Sequence, residues 1–273
     1  MSPSADPQLR RIELRPPTGP EADAFPFSVP AVRDLGRLDL QAPATLFVGE
    51  NGSGKSTLLE GLAAAAGLPA VGADEVKDDE TLAAQRRLAR QLKLTWTRRT
   101  HRGFFLRAED FFGFARRISR LRADMVRRIA EVEEELADAS AWARGLAAGP
   151  AASSIHELDR RYGPELDARS HGEGFLRLFQ SRLVPGGLYL LDEPEAPLSP
   201  QNQLALLALV RASIADGSQF LIATHSPIVL ALPGAEILSF DEAPPRRVAY
   251  DDLEHVRLTR EFLNDRERYL RLL

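Results

Sequence analysis

Apolar positions along the chain follow two periods, and the changes between them divide it into elements. Residues 44–48 are a short apolar run that ends directly in glycine-rich sequence, which predicts a buried strand. Good helix formers follow over 56–66 and stop near Gly67 and Pro69, as a helix ending requires. Residues 11–14 are an early strand candidate ahead of a proline-rich connection over 16–30. Residues 92–97 and 103–106 read as two strands, with a hairpin expected around the turn at 98–102. Then the period changes: Ile118, Leu121, Met125, Ile129, Val132 and Leu136 step by three or four, the stripe of an amphipathic helix. That run is expected to stop at Gly149-Pro150, and a shorter helix over 155–162 precedes a second Gly-Pro break. Together these predict a helical lobe over 109–170.

After the lobe, strand and helix alternate again. Strands are predicted at 188–191, 220–223 and 237–240, with a helix over 201–214 and a last helix over 259–273. Short apolar strands separated by helices call for a mostly parallel sheet covered on both faces. The fold class is therefore α/β, with residues 1–273 expected to form one domain carrying the inserted lobe.

Composition narrows this little. Cysteine is absent, which excludes disulfides and cysteine-ligated metal. The N-terminus lacks the basic-then-apolar order of a secretory signal, and no apolar run approaches the roughly 20 residues of a membrane helix. A cytoplasmic protein without membrane insertion is expected. Net charge is −4, yet residues 85–130 hold 14 Lys or Arg against 3 acidic residues. That asymmetry suits either a face for nucleic-acid phosphates or a solvated, arginine-rich helix surface.

The chemistry is concentrated in two places. Gly49-Glu50-Asn51-Gly52-Ser53-Gly54-Lys55-Ser56 fits G-x-x-x-x-G-K-[ST] and lies between a predicted strand and a predicted helix, where its mechanism requires it. The glycines let the backbone curl until successive N–H groups face phosphate oxygens, and the helix N-terminus adds its positive dipole end. Lys55 would reach the β- and γ-phosphates, and the Ser56 hydroxyl would ligate Mg²⁺. Further on, the apolar run 188–191 ends in Asp192-Glu193-Pro194. Consecutive carboxylates at a strand end suit metal binding by Asp192 and water activation by Glu193 as general base.

With both motifs in this order, the chain resembles the ABC-type ATPases. The resemblance spans about residues 44–240 and rests on GENGSGKST (ending at Thr57), LLDEP, and Thr224-His225-Ser226 at the end of the next apolar strand. It implies that His225 contacts the γ-phosphate and attacking water, with Lys55 and Glu193 completing the catalytic set. Ser170-His171-Gly172-Glu173 is similar to the family's signature motif, with His171 in place of its first glycine. By that resemblance Ser170, His171, Gly172 and Glu173 would bind the ATP held by a second copy. The family's glutamine after the first lobe strand has no clear counterpart, Glu109 being the placement chosen, and Ser199 stands where an aspartate is usual. The spelling is most similar to stand-alone ATPases of the recombination, chromosome-structure and phage-defence group, rather than to transporter subunits.

Three functional classes fit. The first is an ATPase whose two copies sandwich ATP and Mg²⁺, forming an ATP-dependent homodimer that hydrolysis reopens. The second is a kinase or GTPase, against which stand the absence of any N-K-x-D spelling and the pairing of Asp192-Glu193 with His225. The third is a non-hydrolysing nucleotide-binding subunit of a transporter, DNA-repair or defence complex. Nucleic acid on segment 85–130, or an unidentified protein, is the expected target, and Mg²⁺ is the metal inferred, since the five histidines lack zinc-ligand spacing.

Overall fold

The computed structural model describes residues 6–15, 17–71, 80–162 and 171–271. Its elements run β1 (Leu9–Leu14), α1 (Pro30–Arg33), β2 (Arg37–Asp39), β3 (Ala44–Val48), α2 (Lys55–Ala66), β4 (Ala70–Val71), α3 (Glu80–Gln91) and β5 (Leu92–Trp96). They continue with β6 (Gly103–Arg107), α4 (Ala108–Glu135), α5 (Ala141–Tyr162), α6 (His171–Arg182), β7 (Leu188–Asp192), α7 (Pro200–Ala215) and β8 (Gln219–Ala223). Last come α8 (Pro227–Leu230), β9 (Glu236–Ser239), β10 (Arg246–Val248), α9 (Glu254–Asn264) and α10 (Arg266–Leu270).

Seven strands form the main sheet in the order β10-β9-β3-β8-β7-β6-β4. Every pairing is parallel except the β9–β10 edge. The central strands bury both faces, which is why they read as unbroken apolar runs. Tyr189 and Leu191 of β7, with Phe220 and Ile222 of β8, join one core with Phe175, Phe179, Leu206 and Val210 from α6 and α7. Leu188 and Leu190, with Leu221 and Ala223, point the other way and pack with Leu58, Leu59 and Leu62 of α2 and Ile12 of β1. A three-stranded antiparallel sheet, β2-β1-β5, lies over that second core.

The expected hairpin does not form. Both strands exist, but β5 pairs with β1 in the small sheet while β6 pairs with β7 in the large one. Their burial explains the separation: β5 alternates between half-buried and exposed positions, whereas Phe104, Phe105 and Leu106 of β6 are all buried. Alternation suits an edge of an open antiparallel sheet, and a continuous apolar run suits the interior of a parallel one. Gly103 permits the transfer, since a Cβ there would stand 1.8 Å from the Leu188 carbonyl oxygen.

The lobe also divides elsewhere than expected. The first long helix ends at Glu135 and not at Gly149-Pro150, and α5 runs through Pro150. The break falls after three consecutive glutamates, a charge the C-terminal end of the helix dipole disfavours. Ser140 then accepts a bond from the Ala143 N–H at 3.2 Å and caps the start of α5. The tail, expected as one helix over 259–273, is two: Asp265 caps α10 by accepting from the Arg268 N–H at 3.2 Å.

Candidate functional site

The site is built where β3, β7 and β8 end. β3 delivers the chain at Val48 into a turn of left-handed glycines, with Gly52 at φ 82° and Gly54 at φ 102°. A Cβ on Gly54 would sit 2.7 Å from Val29 Cγ1, so both conformation and space demand glycine there. Lys55 opens α2 and is buried, 4% exposed. Its ammonium donates to the Gly49 carbonyl at 2.7 Å, the Glu50 carbonyl at 2.9 Å and Ser53 Oγ at 3.4 Å. Burial pulls its pKa below the ordinary lysine value, and the carboxylates of Glu193, Asp192, Asp241 and Glu195 oppose that. The lysine thus folds back over a cradle of backbone, the shape a string of phosphates would fill. Glu50, Asn51 and Gly52 form its exposed lip, and Thr57 is half-buried one residue beyond Ser56.

β7 runs beside this turn and sets Asp192 beneath it. Ser56 Oγ donates to Asp192 Oδ1 at 3.1 Å, and Arg107 Nε lies 3.7 Å from Oδ2. Burial raises Asp192 to about 6, with the Ser56 hydrogen bond and the charges of Arg107 and Lys55 working in the opposite direction. A hydroxyl and a buried carboxylate side by side are hard oxygen donors of the kind Mg²⁺ takes. Among the described residues no cluster of three or more His, Cys, Asp or Glu could hold a metal by itself.

Glu193 is the sole non-glycine residue at positive φ among those described, at 50°. Its N–H donates to the Ala223 carbonyl at 2.9 Å, tying the turn after β7 to the end of β8. Its side chain is half-exposed and its Oε1 lies 3.8 Å from His225 Nε2. A strained backbone beside a cluster of charges marks a position held for a purpose other than packing. Glu193 and His225, 32 positions apart in sequence, are therefore brought together beside Lys55.

Several contributors were not anticipated. Glu195 Oε1 accepts the His225 N–H at 2.8 Å and the Ser226 N–H at 3.2 Å, fixing the loop that carries the histidine. Asp241 accepts the Glu50 N–H at 3.0 Å and the Ser239 hydroxyl at 2.8 Å, bracing the glycine turn from β9. Arg107 pairs with Glu60 as well as approaching Asp192. Tyr250 donates to the Pro227 carbonyl at 3.0 Å, pinning the start of α9 near His225. There His255 Nε2 is shielded from solvent without a hydrogen-bond partner. The doubled acid in Asp192-Glu193-Pro194-Glu195 and the short Ser239-Phe240-Asp241 turn after an apolar strand were the available signals for Glu195 and Asp241.

The remaining expected residues make other contacts or lie beyond the described ones. Ser170 lies outside the described residues. His171 begins α6, which packs against α5 and α7, and Glu173 is exposed on its first turn. Gly172 is buried, and a Cβ on it would come 2.6 Å from Asn202 Nδ2 and 3.0 Å from the Pro197 carbonyl oxygen. Glu109 is exposed on the first turn of α4. Ser199 caps α7, accepting from the Asn202 N–H at 3.3 Å.

A glycine turn between strand and helix, a strand-end carboxylate against its serine, and a parallel sheet flanked by helices define a P-loop NTPase fold. The chain belongs to the AAA-domain family described as "AAA domain, putative AbiEii toxin, Type IV TA system", whose sequence model matches residues 89–231, just over half its length. A second AAA-domain model matches residues 28–135. No curated protein matches the chain. Among solved structures it is similar to a nucleotide-free ATP-binding cassette from an ABC transporter, at 16% identity and TM-score 0.45, over 90% of this chain and 93% of that one. It is also similar to cbiO1 from Clostridium perfringens, part of the ABC transporter complex cbiONQ, at 14% identity and TM-score 0.45, over 98% and 100%. A third is the Pyrococcus furiosus Smc head domain bound to the C-terminal domain of ScpA, at 12% identity and TM-score 0.43, over 94% and 99%. No helix among the described residues is long and apolar enough to cross a membrane.

Proposed function

We propose that this protein binds ATP with Mg²⁺ and hydrolyses it, and that two copies close on two nucleotides and reopen after hydrolysis. The observation that carries the reading is the meeting of Ser56 with Asp192 at 3.1 Å beside the Glu193–His225 pair. The backbone of residues 49–54, with Thr57 at the start of α2, cradles the phosphates, and Lys55 turns from its carbonyl partners to the β- and γ-oxygens. Ser56 and Asp192 hold Mg²⁺, which when bound offsets phosphate charge. Glu193 takes a proton from the attacking water, and His225, held through its own N–H by Glu195, orients that water and the γ-phosphate. His171, Gly172 and Glu173, with Ser170, are assigned to the second copy's nucleotide across the dimer. On this reading residues 1–273 are one cytoplasmic ATPase domain with the lobe at 109–170 inserted, and its motion acts on another macromolecule.

The test is the mass of Glu193→Gln by light scattering with Mg²⁺ plus ATP and with ADP, beside phosphate release by the unaltered protein. Expected are a dimer with ATP, a monomer with ADP, and turnover that the substitution lowers by about 10²–10⁴-fold. An unaltered protein that binds ATP without releasing phosphate would make it a nucleotide-binding subunit, and a mass indifferent to nucleotide would remove the sandwich.

A further inference from the structure

The basic excess over 85–130 resolves into two kinds of residue. The window stops just short of the acidic run at the end of α4, and α4 as a whole carries six Arg against seven acids. Arg122 pairs with Asp159 at 3.0 Å, Arg128 with Glu131 at 3.2 Å, and Arg127 with Asp124. Lys93 pairs with Glu13 at 3.3 Å, Arg107 with Glu60, and Arg87 donates to the Phe25 carbonyl at 2.9 Å. Arg98, Arg99 and Arg102 differ: all three are exposed, among the described residues none has a carboxylate within ion-pair distance, and, unlike the similarly exposed Arg86, Arg90 and Arg120 on α3 and α4, they sit together on one loop.

These three arginines converge. With Thr100, Pro185, Gly186 and Asp216 they line a concave site of about 310 Å³. The loop that carries them is shaped, not loose: Thr100 is buried, its hydroxyl donating to the Gly186 carbonyl at 3.1 Å and accepting the Arg102 N–H at 3.1 Å. The Leu188 N–H then donates to the Arg102 carbonyl at 2.9 Å. Arg98 lies against two bare glycine turns, a Cβ on Gly186 or Gly217 falling 3.1 or 3.7 Å from its Nη2. Exposed guanidinium groups carried on a loop whose backbone is tied down, with no internal carboxylate partner among the described residues, are suited to phosphate oxygens.

We propose that this site binds the phosphodiester backbone of double-stranded nucleic acid. One aspartate against three arginines leaves it strongly positive, which selects an anion. A protein surface would be expected to offer an aromatic or aliphatic anchor in such a pocket, and the lining holds one proline and nothing larger that is apolar. A single strand would be held by base stacking on aromatic side chains, of which the lining has none. Contacts to phosphate alone carry no sequence information. The site is at the start of β6 and β7, while Asp192 is at the end of β7, so roughly 16 Å of strand at ~3.3 Å per residue lies between them. Duplex and ATP therefore do not compete for space, and the assignment stands independently of ATP turnover.

The test is fluorescence anisotropy of two labelled 30-base-pair DNA duplexes of unrelated sequence, titrated with full-length protein at several salt concentrations. Equal affinity for both is expected, with log K falling against log salt at a slope of about −2 to −3, as for three phosphate contacts. The triple variant Arg98→Gln, Arg99→Gln, Arg102→Gln is expected to bind at least tenfold more weakly with a flatter slope, at unchanged melting temperature. The triple lysine variant keeps most of the affinity, and Arg127→Gln with Arg128→Gln, which alters paired charges, changes it less than twofold. Absence of duplex binding by the unaltered protein at low salt, full affinity in the triple glutamine variant, or displacement by inorganic phosphate beyond its effect on ionic strength would overturn the proposal.

Discussion

The two ends of the main sheet both gather charged residues, carboxylates around one lysine at one end and arginines with one aspartate at the other, and treat them in opposite ways. Where β3, β7 and β8 end, most charged groups are answered from within: Lys55 by three acceptors, Asp192 by Ser56, one oxygen of Glu195 by two backbone N–H groups, Asp241 by the N–H of Glu50, while the Nε2 atoms of His225 and His255 and the other oxygen of Glu195 have no hydrogen-bond partner among the described residues. Where β6 and β7 begin, Arg98, Arg99 and Arg102 are left to solvent on a loop whose backbone is nonetheless tied down. The first arrangement buries its charges at a desolvation cost that internal partners offset only in part, as the lowered Lys55 and the raised Asp192 pKa record. The second is already open to an anion and needs no rearrangement. Parallel strands separate the two by construction, because all their C-terminal ends lie on one side.

Substitution at Lys55 should divide the two ends most sharply. Lys55→Ala removes the cation from the nucleotide cradle and is expected to lower turnover at least about 10²-fold. Stabilisation of the protein by ATP, read as a melting shift, should vanish with it, while duplex affinity stays within twofold. A matching loss of duplex affinity would mean that the two sites are one.

A smaller effect is expected from Tyr189→Phe, which acts on the far end alone. The Tyr189 hydroxyl, fully buried, accepts the Val184 N–H at 2.6 Å and donates to the Val184 carbonyl at 2.9 Å. Its loss leaves the Val184 N–H without its partner, the carbonyl keeping the Ser218 hydroxyl at 3.3 Å, beside the turn that frames the arginine site. Urea unfolding should show a loss of about 1–3 kcal/mol, and anisotropy a two- to threefold weaker duplex, with turnover unchanged.

The smallest effect is one of pH at the nucleotide end. Burial lowers the His255 pKa below the ordinary 6.5, and the charge of His225 lowers it further, with Asp241 opposing. A histidine depressed on folding adds stability that is complete above the unfolded value near 6.5. That stability is lost as pH falls through the lower folded value. Melting temperature measured from pH 7.5 down to 5 should therefore decline less steeply in His255→Asn, and the Arg98, Arg99 and Arg102 variant should keep the original slope.

Much of the nucleotide end was legible because its chemistry is local. The cradle needs glycines and Lys55-Ser56 within eight positions, and Asp192-Glu193 needs only the end of one apolar strand. The central strands were read to within about a residue, since a run buried on both faces carries no competing period. The lobe was read less well. Gly149-Pro150 looked like a terminus, but α5 continues through it while packed along α4, and the true break depended on Ser140 as a cap. The supposed hairpin of β5 and β6 failed for a related reason: adjacency in sequence suggested pairing, and burial on different cores prevented it.

The amino-acid order by itself determined the class of fold, the phosphate cradle and the carboxylate pair, because each is written within one element or one turn. Tertiary structure alone decided which distant groups complete them: His225 against Glu193, Glu195 holding the histidine's loop, Asp241 under the cradle, His255 folded back from the tail. It also decided which arginines are free. A window of sequence can count charges, but neutralisation depends on partners that approach in space, as Asp159 does Arg122 across 37 positions and as no carboxylate does Arg98 among the described residues.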